Sequence, residues 1–166
     1  MGPVGKAYAA LVAAGELKPD PDQSNAVQAL DRFGRDAARQ NGGILSRLFG
    51  KRGQQRGVYL WGGVGRGKSM LMDLAFDNID VEPRRRTHFH SFMLEVHARL
   101  REARKSDEGD PVIRVAEGIA DEVTFLAFDE MMVTNAADGM IMSRLFTAVI
   151  DEGVAIVTTS NRPPRD

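Results

Sequence analysis

The chain has 166 residues, 43% of them apolar and 27% charged, and its 22 Lys and Arg against 23 Asp and Glu leave a net charge of −1. That length suits one domain with a core of its own and leaves little for a second unit. The charge balance gives no electrostatic reason to expect a nucleic-acid or membrane-surface partner. With no cysteine there is no disulfide framework, and no apolar run approaches the roughly 18 residues of a membrane span. The opening Met1-Gly2-Pro3-Val4-Gly5-Lys6 does not read as a secretory signal, so a cytoplasmic protein is expected.

Tyr8, Leu11, Val12 and Leu17 predict a short amphipathic helix over about residues 6–16. Asp20-Pro21-Asp22-Gln23 predicts the start of a second one, with Asp20 as N-cap, Pro21 at the first helical position and Gln23 closing a capping box. Val27, Leu30, Phe33 and Ala37 then line one face, and Asn41-Gly42-Gly43 ends the run. Residues 1–43 are therefore expected to form a helical extension. Residues 44–56 follow as a connector carrying Arg47, Lys51, Arg52 and Arg56. It reads as a solvated linker, with contact to phosphates or acidic lipid as the alternative, and no function is assigned to it.

The stretch Gly57-Val58-Tyr59-Leu60-Trp61-Gly62-Gly63-Val64-Gly65-Arg66-Gly67-Lys68-Ser69 organises the rest. An apolar run of strand length enters Gly-x-x-x-x-Gly-Lys-Ser, and the helix-forming Met70-Leu71-Met72-Asp73-Leu74-Ala75-Phe76 follows. Glycines allow the backbone of residues 62–67 to wrap an anion and turn successive N–H groups toward phosphate oxygens. Lys68 would charge-pair the β- and γ-phosphates of a nucleotide, Ser69 would offer its hydroxyl to Mg²⁺, and the helix beginning near Met70 would add its dipole. A flexible glycine turn is the plainer alternative, but the flanking strand and helix speak against it.

Asp80 to Pro83 read as a turn. After Arg84-Arg85-Arg86, the run Thr87-His88-Phe89-His90-Ser91-Phe92 predicts a second strand with His88 and His90 on one face. With His97 these invite a metal reading; no cysteine and no acid completes a ligand set, so a packed or hydrogen-bonded pair is expected instead. Phe92, Leu94, Val96 and Leu100 predict a surface helix to about Lys105, Ser106 to Pro111 a break, and Val112 to Glu122 a further helix.

Thr124-Phe125-Leu126-Ala127-Phe128-Asp129-Glu130 has the continuous apolar character of a strand buried on both faces of a parallel sheet. Its two terminal acids stand where such sheets place ligands. Asp129 would hold Mg²⁺ in its outer shell and Glu130 would polarise the attacking water as general base; an ordinary helix N-cap pair is the alternative. A helix over Val133 to Ile150 is expected to bury Met140, Ile141, Leu145, Phe146 and Val149. Val154 to Thr159 predict a last buried strand. Beyond it Asn161 is placed to reach the γ-phosphate and the lytic water, or serves with Ser160 only as a turn former.

With those sites in place, the chain resembles the ZapE family of AAA+ ATPases, also called the AFG-type or lactation-elevated family. The likeness rests on Gly57 to Gly62 running into Gly67-Lys68-Ser69-Met70-Leu71-Met72-Asp73, on His88-Phe89-His90-Ser91-Phe92-Met93 and on Val96-His97. It continues through Phe128-Asp129-Glu130, Val133-Thr134, Ala137-Asp138, Arg144-Leu145-Phe146 and Thr159-Ser160-Asn161-Arg162-Pro163-Pro164. Tyr8, Leu11, Gly15, Leu17, Asp20 and Gln23 resemble the family's N-terminal entry. The resemblance implies an α/β parallel sheet flanked by helices, a P-loop NTPase of AAA+ type over residues 57–166, that binds and hydrolyses ATP with Mg²⁺. Lys68 and Ser69 would then be Walker A residues, Asp129 and Glu130 Walker B, and Asn161 sensor 1. It further implies a homo-oligomeric ring acting on protein clients, either cell-division machinery or membrane proteins, in the cytoplasm with membrane association at the division site.

Two departures follow from the same resemblance. Met131-Met132 and Asn135 replace an aromatic or Gln and an Asp, which is expected to tune packing or subunit contacts. The chain stops at Asp166, where the family continues into a fifth strand, an arginine finger and a lid with sensor 2, so a fragment or incomplete product with weak binding and little turnover is expected. In the family's order, 5-1-4-3-2, the strand at Val58 to Trp61 would become an open edge, a template for aggregation. A nucleic-acid-linked loader ATPase using Arg84 to Arg86 and Arg47 to Arg56 is the alternative function, and a non-enzymatic remnant that binds a partner is a third.

Overall fold

Three apolar runs and one arginine-rich run build a four-stranded parallel sheet in the computed structural model, which describes residues 1–40, 57–63 and 65–163. The strands are β1 (Gly57–Trp61), β2 (Arg84–His88), β3 (Phe125–Asp129) and β4 (Ala155–Ser160), in the order β1-β4-β3-β2. Every pairing is parallel, with Val58 opposite Val157, Leu126 opposite Ile156 and Arg86 opposite Ala127. The order among the described strands is the one expected, with β1 at an edge. The connector cations Arg47, Lys51, Arg52 and Arg56, together with Val64 and Pro164, lie outside the described residues.

Side chains on successive residues of a strand point to opposite faces, and here that alternation sorts two cores. Phe125 and Ala127 of β3, with Val58, Leu60, Ala155 and Val157, face α1 (Pro3–Ala13), α2 (Pro21–Gln40) and α3 (Lys68–Asn78). Leu126, Phe128 and Ile156 face α4 (Phe89–Ala103), α5 (Pro111–Glu122) and α6 (Ala136–Asp151). Phe128 is fully buried among Phe89, Phe92 and Phe146, with ring centroids 6.2, 4.5 and 5.5 Å away. The first two helices thus share a core with β1 and α3: Val4, Leu30 and Phe33 have no exposed surface.

The helix ends follow capping chemistry. Asp20 accepts from the N–H groups of Asp22 (2.8 Å) and Gln23 (3.4 Å), Asp110 from Val112 (2.9 Å) and Asn135 from Asp138 (2.8 Å). The start of α1 is capped from a distance. Asp31, buried on α2, accepts from the N–H groups of Gly2 (2.9 Å), Val4 (3.0 Å) and Gly5 (3.1 Å). A methyl added at Gly2 or Gly5 would run into this carboxylate.

Four expectations are corrected. The second strand is the arginine run itself, and the chain enters α4 at Phe89, so His88 and His90 do not share a strand face. An edge strand tolerates arginines whose stems cover apolar surface while their heads find acids: Arg84 pairs Glu82, Arg85 pairs Glu95 and Arg86 pairs Asp129. Leu94 is 59% exposed rather than part of the α4 stripe. The last helix starts at Ala136, behind its Asn135 cap, and Met142 at 2% exposure takes the core place expected of Met140, which is 70% exposed. Finally, α1 begins at Pro3, several residues earlier than the apolar spacing suggested, because proline at the first position and Asp31 together start it. Among the described residues no helix is long and apolar enough to cross a membrane.

Candidate nucleotide-binding site

The stretch between β1 and α3 is a loop fastened at both ends. At its start the N–H of Gly62 donates to the carbonyl of Ser160 at the end of β4 (3.2 Å). Gly65 and Gly67 take φ of 81° and 80°, a left-handed conformation that costs other residues about 1–2 kcal/mol. Gly67 is the N-cap of α3 and provides no side-chain cap, which leaves the first N–H groups of that helix to find partners elsewhere. Lys68 Nζ spans the loop, donating to the carbonyls of Gly62 (2.6 Å) and Gly63 (2.7 Å).

The N-terminal helices hold this loop from outside. Gln23 does not close a capping box on Asp20. Its amide donates to the carbonyl of Arg66 (3.4 Å) and accepts from the hydroxyl of Tyr8 (3.2 Å). A Cβ on Gly67 would stand 2.7 Å from Gln23 Nε2, so close approach is a second reason for glycine there. Arg66 reaches the neighbouring Asp22 at 3.3 Å. Because both side chains of that pair are well exposed, it contributes at most about 1 kcal/mol.

Across from the loop stand the acids of β3. Asp129 is 16% exposed, and Arg86 of β2 grips it as a fork, Nε to Oδ2 at 2.7 Å and Nη2 to Oδ1 at 3.1 Å. The third guanidinium nitrogen, Nη1, donates to Asp73 of α3. Hydrogen bonds donated to Asp129, opposed by burial and supported by Asp73, raise Arg86 above the ordinary guanidinium range, so it stays charged. Glu130 is exposed and has φ 58°, the only positive value for a non-glycine residue among those described. Its N–H donates to Thr159 Oγ1 (3.1 Å), and the next N–H, of Met131, to the Thr159 carbonyl (2.7 Å).

Two adjoining cavities share these acids. The smaller, about 400 Å³, is lined by Ser69, Arg86, Thr87, His88, Asp129 and Glu130. The larger, about 540 Å³, brings Asn161, Ser160 and Met131 to the same two acids. Of the residues singled out in the sequence, Ser69, Asp129 and Glu130 therefore meet around one space, and Asn161 meets the acids around the next. His88 borders both, His90 only the larger, and His97 is tied to Asp138 at 3.0 Å. A hydroxyl at a helix start facing a carboxylate is an all-oxygen donor set, which suits a hard divalent cation such as Mg²⁺. The glycine loop, Lys68 and the uncapped helix suit a polyphosphate.

The family model for AFG1-like ATPases matches residues 3–166. The chain belongs to the AFG1-like ATPase family. Among curated relatives it is 37% identical over 164 residues to the cell division protein ZapE of Escherichia coli, which covers 90% of this chain and 43% of that one. It is 40% identical over 120 residues to lactation elevated protein 1 homolog B of Danio rerio, covering 67% of this chain and 24% of that one. The chain thus spans less than half the length of these relatives. In fold it is similar to Caenorhabditis elegans PCH-2, with a TM-score of 0.52 at 15% identity over 85% of this chain and 38% of that one. Domain III of the Thermotoga maritima replication initiation protein DnaA gives 0.51 at 16% over 90% and 60%. The α/β architecture of an AAA+ P-loop protein is shared with both.

Two residues beside this site, Asp73 and Thr159, carried no individual role in the sequence reading, while Arg86 stood only among the contacts of a nucleic-acid alternative and Gln23 only in a capping box. The position of Asp73 within the phosphate-loop helix and of Thr159 ahead of Asn161 placed them in family motifs. Nothing in the order of residues pointed Arg86 at Asp129.

Proposed function

We propose that this chain binds Mg·ATP between the loop at residues 62–69 and the acids of β3, and that the AFG1-like protein to which it corresponds hydrolyses it. The observation that supports this best is the meeting of Ser69, Asp129 and Glu130 around one cavity of about 400 Å³ beside an uncapped helix N-terminus. Backbone N–H groups of residues 63–70 and the charge of Lys68 take the phosphates; Lys68 leaves the Gly62 and Gly63 carbonyls for a stronger anionic partner. Ser69 and Asp129 hold the divalent ion, whose chemistry is to neutralise charge building on the phosphates. Glu130 receives the proton of the attacking water, and Asn161 orients that water and the γ-phosphate from the neighbouring cavity. The Escherichia coli relative is named as a cell division protein. We carry that setting over, with a homo-oligomeric ring doing ATP-driven work on protein clients.

Calorimetric titration with ATP and Mg²⁺, beside Lys68→Ala and Glu130→Gln and with phosphate release read in the same samples, tests the reading. Lys68→Ala is expected to abolish binding, and Glu130→Gln to retain binding while losing any turnover. Binding indifferent to Lys68→Ala would refute the site.

A further inference from the structure

Arg86 engages both oxygens of the carboxylate to which the metal has been assigned. An ionised carboxylate offers about four lone-pair directions, and a guanidinium fork takes one on each oxygen. A divalent ion held through Asp129 must therefore share those oxygens with a neighbouring positive charge, and like charges at such separations repel. The cavity makes the crowding concrete, because Arg86 lines it together with Ser69 and Asp129. The guanidinium also has a second carboxylate. Asp73, 58% exposed on α3 one turn beyond Ser69, already receives its third nitrogen. Arg86 is fixed between the two because β2 pairs with β3 at Arg86 and Ala127, while α3 comes directly from the phosphate loop.

We propose that Arg86 is a built-in rival of the divalent cation for Asp129, with Asp73 as its second berth, so that the metal affinity of the site is set by how Arg86 is shared between two carboxylates. The proposal rests on Asp129 being the carboxylate that holds the metal. It makes Arg86 a positioning residue whose removal strengthens metal binding, the opposite of what loss of an ordinary supporting residue would do.

The test is titration of the nucleotide-free chain with Mn²⁺, following free Mn²⁺ by electron paramagnetic resonance. Arg86→Gln is expected to tighten Mn²⁺ binding about tenfold, equivalent to about 1.4 kcal/mol. Asp73→Asn, at an exposed position, is expected to loosen it about threefold by leaving Arg86 wholly to Asp129. Adding Asp129→Asn to Arg86→Gln is expected to remove the gain. Arg86→Gln that leaves Mn²⁺ affinity unchanged or weaker, or Asp73→Asn that tightens it, would overturn the proposal. Failure of the underlying assignment has a different signature: Asp129→Asn alone would leave Mn²⁺ binding intact. Nucleotide binding in EDTA, dependent on Lys68, reports on the phosphate loop independently of both.

Discussion

Replacing Asp31 with alanine is expected to loosen the N-terminus of the chain and, through it, the phosphate loop. Asp31 is 6% exposed and accepts three backbone N–H bonds from the start of α1. Gly2 is only partly buried and can turn to water, but the N–H groups of Val4 and Gly5 lie in buried surroundings. Leaving a buried donor without a partner costs about 1–3 kcal/mol, and loss of a carboxylate at a helix N-terminus adds about 0.5 kcal/mol. With both donors near the low end of that range the sum is about 3 kcal/mol. For a domain of this size each kcal/mol lowers the melting temperature by about 2–4 °C, so Asp31→Ala is expected to melt about 6–12 °C lower. Asn25→Ala, at an exposed position on the same helix, should change stability by no more than about 0.5 kcal/mol. Urea unfolding measures the loss, and amide exchange should show residues 3–13 opening first. Detachment of α1 takes Tyr8 away from Gln23 and so removes one support of the Arg66 carbonyl. A loss below about 1 kcal/mol, matching the Asn25→Ala control, would refute the reasoning.

Gly67→Ala is expected to lose about 1–2 kcal/mol of stability because of its φ of 80°, and to weaken ATP binding in calorimetry. Adding Gln23→Ala relieves the contact but not the backbone strain, so full rescue by the second change would refute the φ argument; Gly63→Ala, with open space around it and no positive φ, should leave the melting temperature unchanged. Glu95 is held below the ordinary glutamate value of 4.5 by hydrogen bonds from Arg85, against the effect of burial and with help from Arg99. A carboxylate depressed in the fold takes up more protons when unfolded, so its contribution is full above about pH 4.5 and disappears as pH falls through the folded value. Unfolding measured from pH 7 to pH 3 should show a shallower decline in Glu95→Gln than in the parent chain.

Much of the architecture was legible because its causes are local. The apolar runs of β3 and β4 have only one comfortable place, the middle of a parallel sheet, and both are buried there. The glycines before Lys68 allow positive φ, and Gly65 and Gly67 take it. What escaped depended on partners far away in sequence. Asp31 looked like one polar residue among several on α2, since its three partners precede it by 26 to 29 positions. Gln23 matched a capping box by spacing, yet the loop carbonyl 43 residues later and the Tyr8 hydroxyl offered it better partners. Arg84 to Arg86, expected only to precede the second strand, form it because Glu82, Glu95 and Asp129 stand beside them. These same pairings engage the arginines that a nucleic-acid reading required to be available. Met142 rather than Met140 is buried because it stands three and seven residues before Leu145 and Val149, on the face of α6 that meets the sheet core.

The position of Glu130 shows the same dependence at the site itself. Its left-handed backbone costs about 1–2 kcal/mol relative to an ordinary conformation, and nothing in β3 compensates that. The compensation comes from β4. Thr159 accepts from Glu130 through its side chain and from Met131 through its carbonyl, and Ser160 Oγ donates to the Met131 carbonyl at 2.9 Å. Three hydrogen bonds, each worth about 0.5–1.5 kcal/mol, are together enough to hold the strained residue. The carbonyl of Ser160 also receives Gly62 at the start of the phosphate loop, and the Tyr59 hydroxyl of β1 donates to the Arg162 carbonyl at 2.9 Å. The end of β4 is thus the common anchor of the loop and of Glu130. Gly62 and the Glu130 backbone are linked through two adjacent residues, Ser160 and Thr159. Under the proposed function, in which Glu130 acts beside a nucleotide held in the loop, that short link gives a physical reason for tolerating strain at position 130.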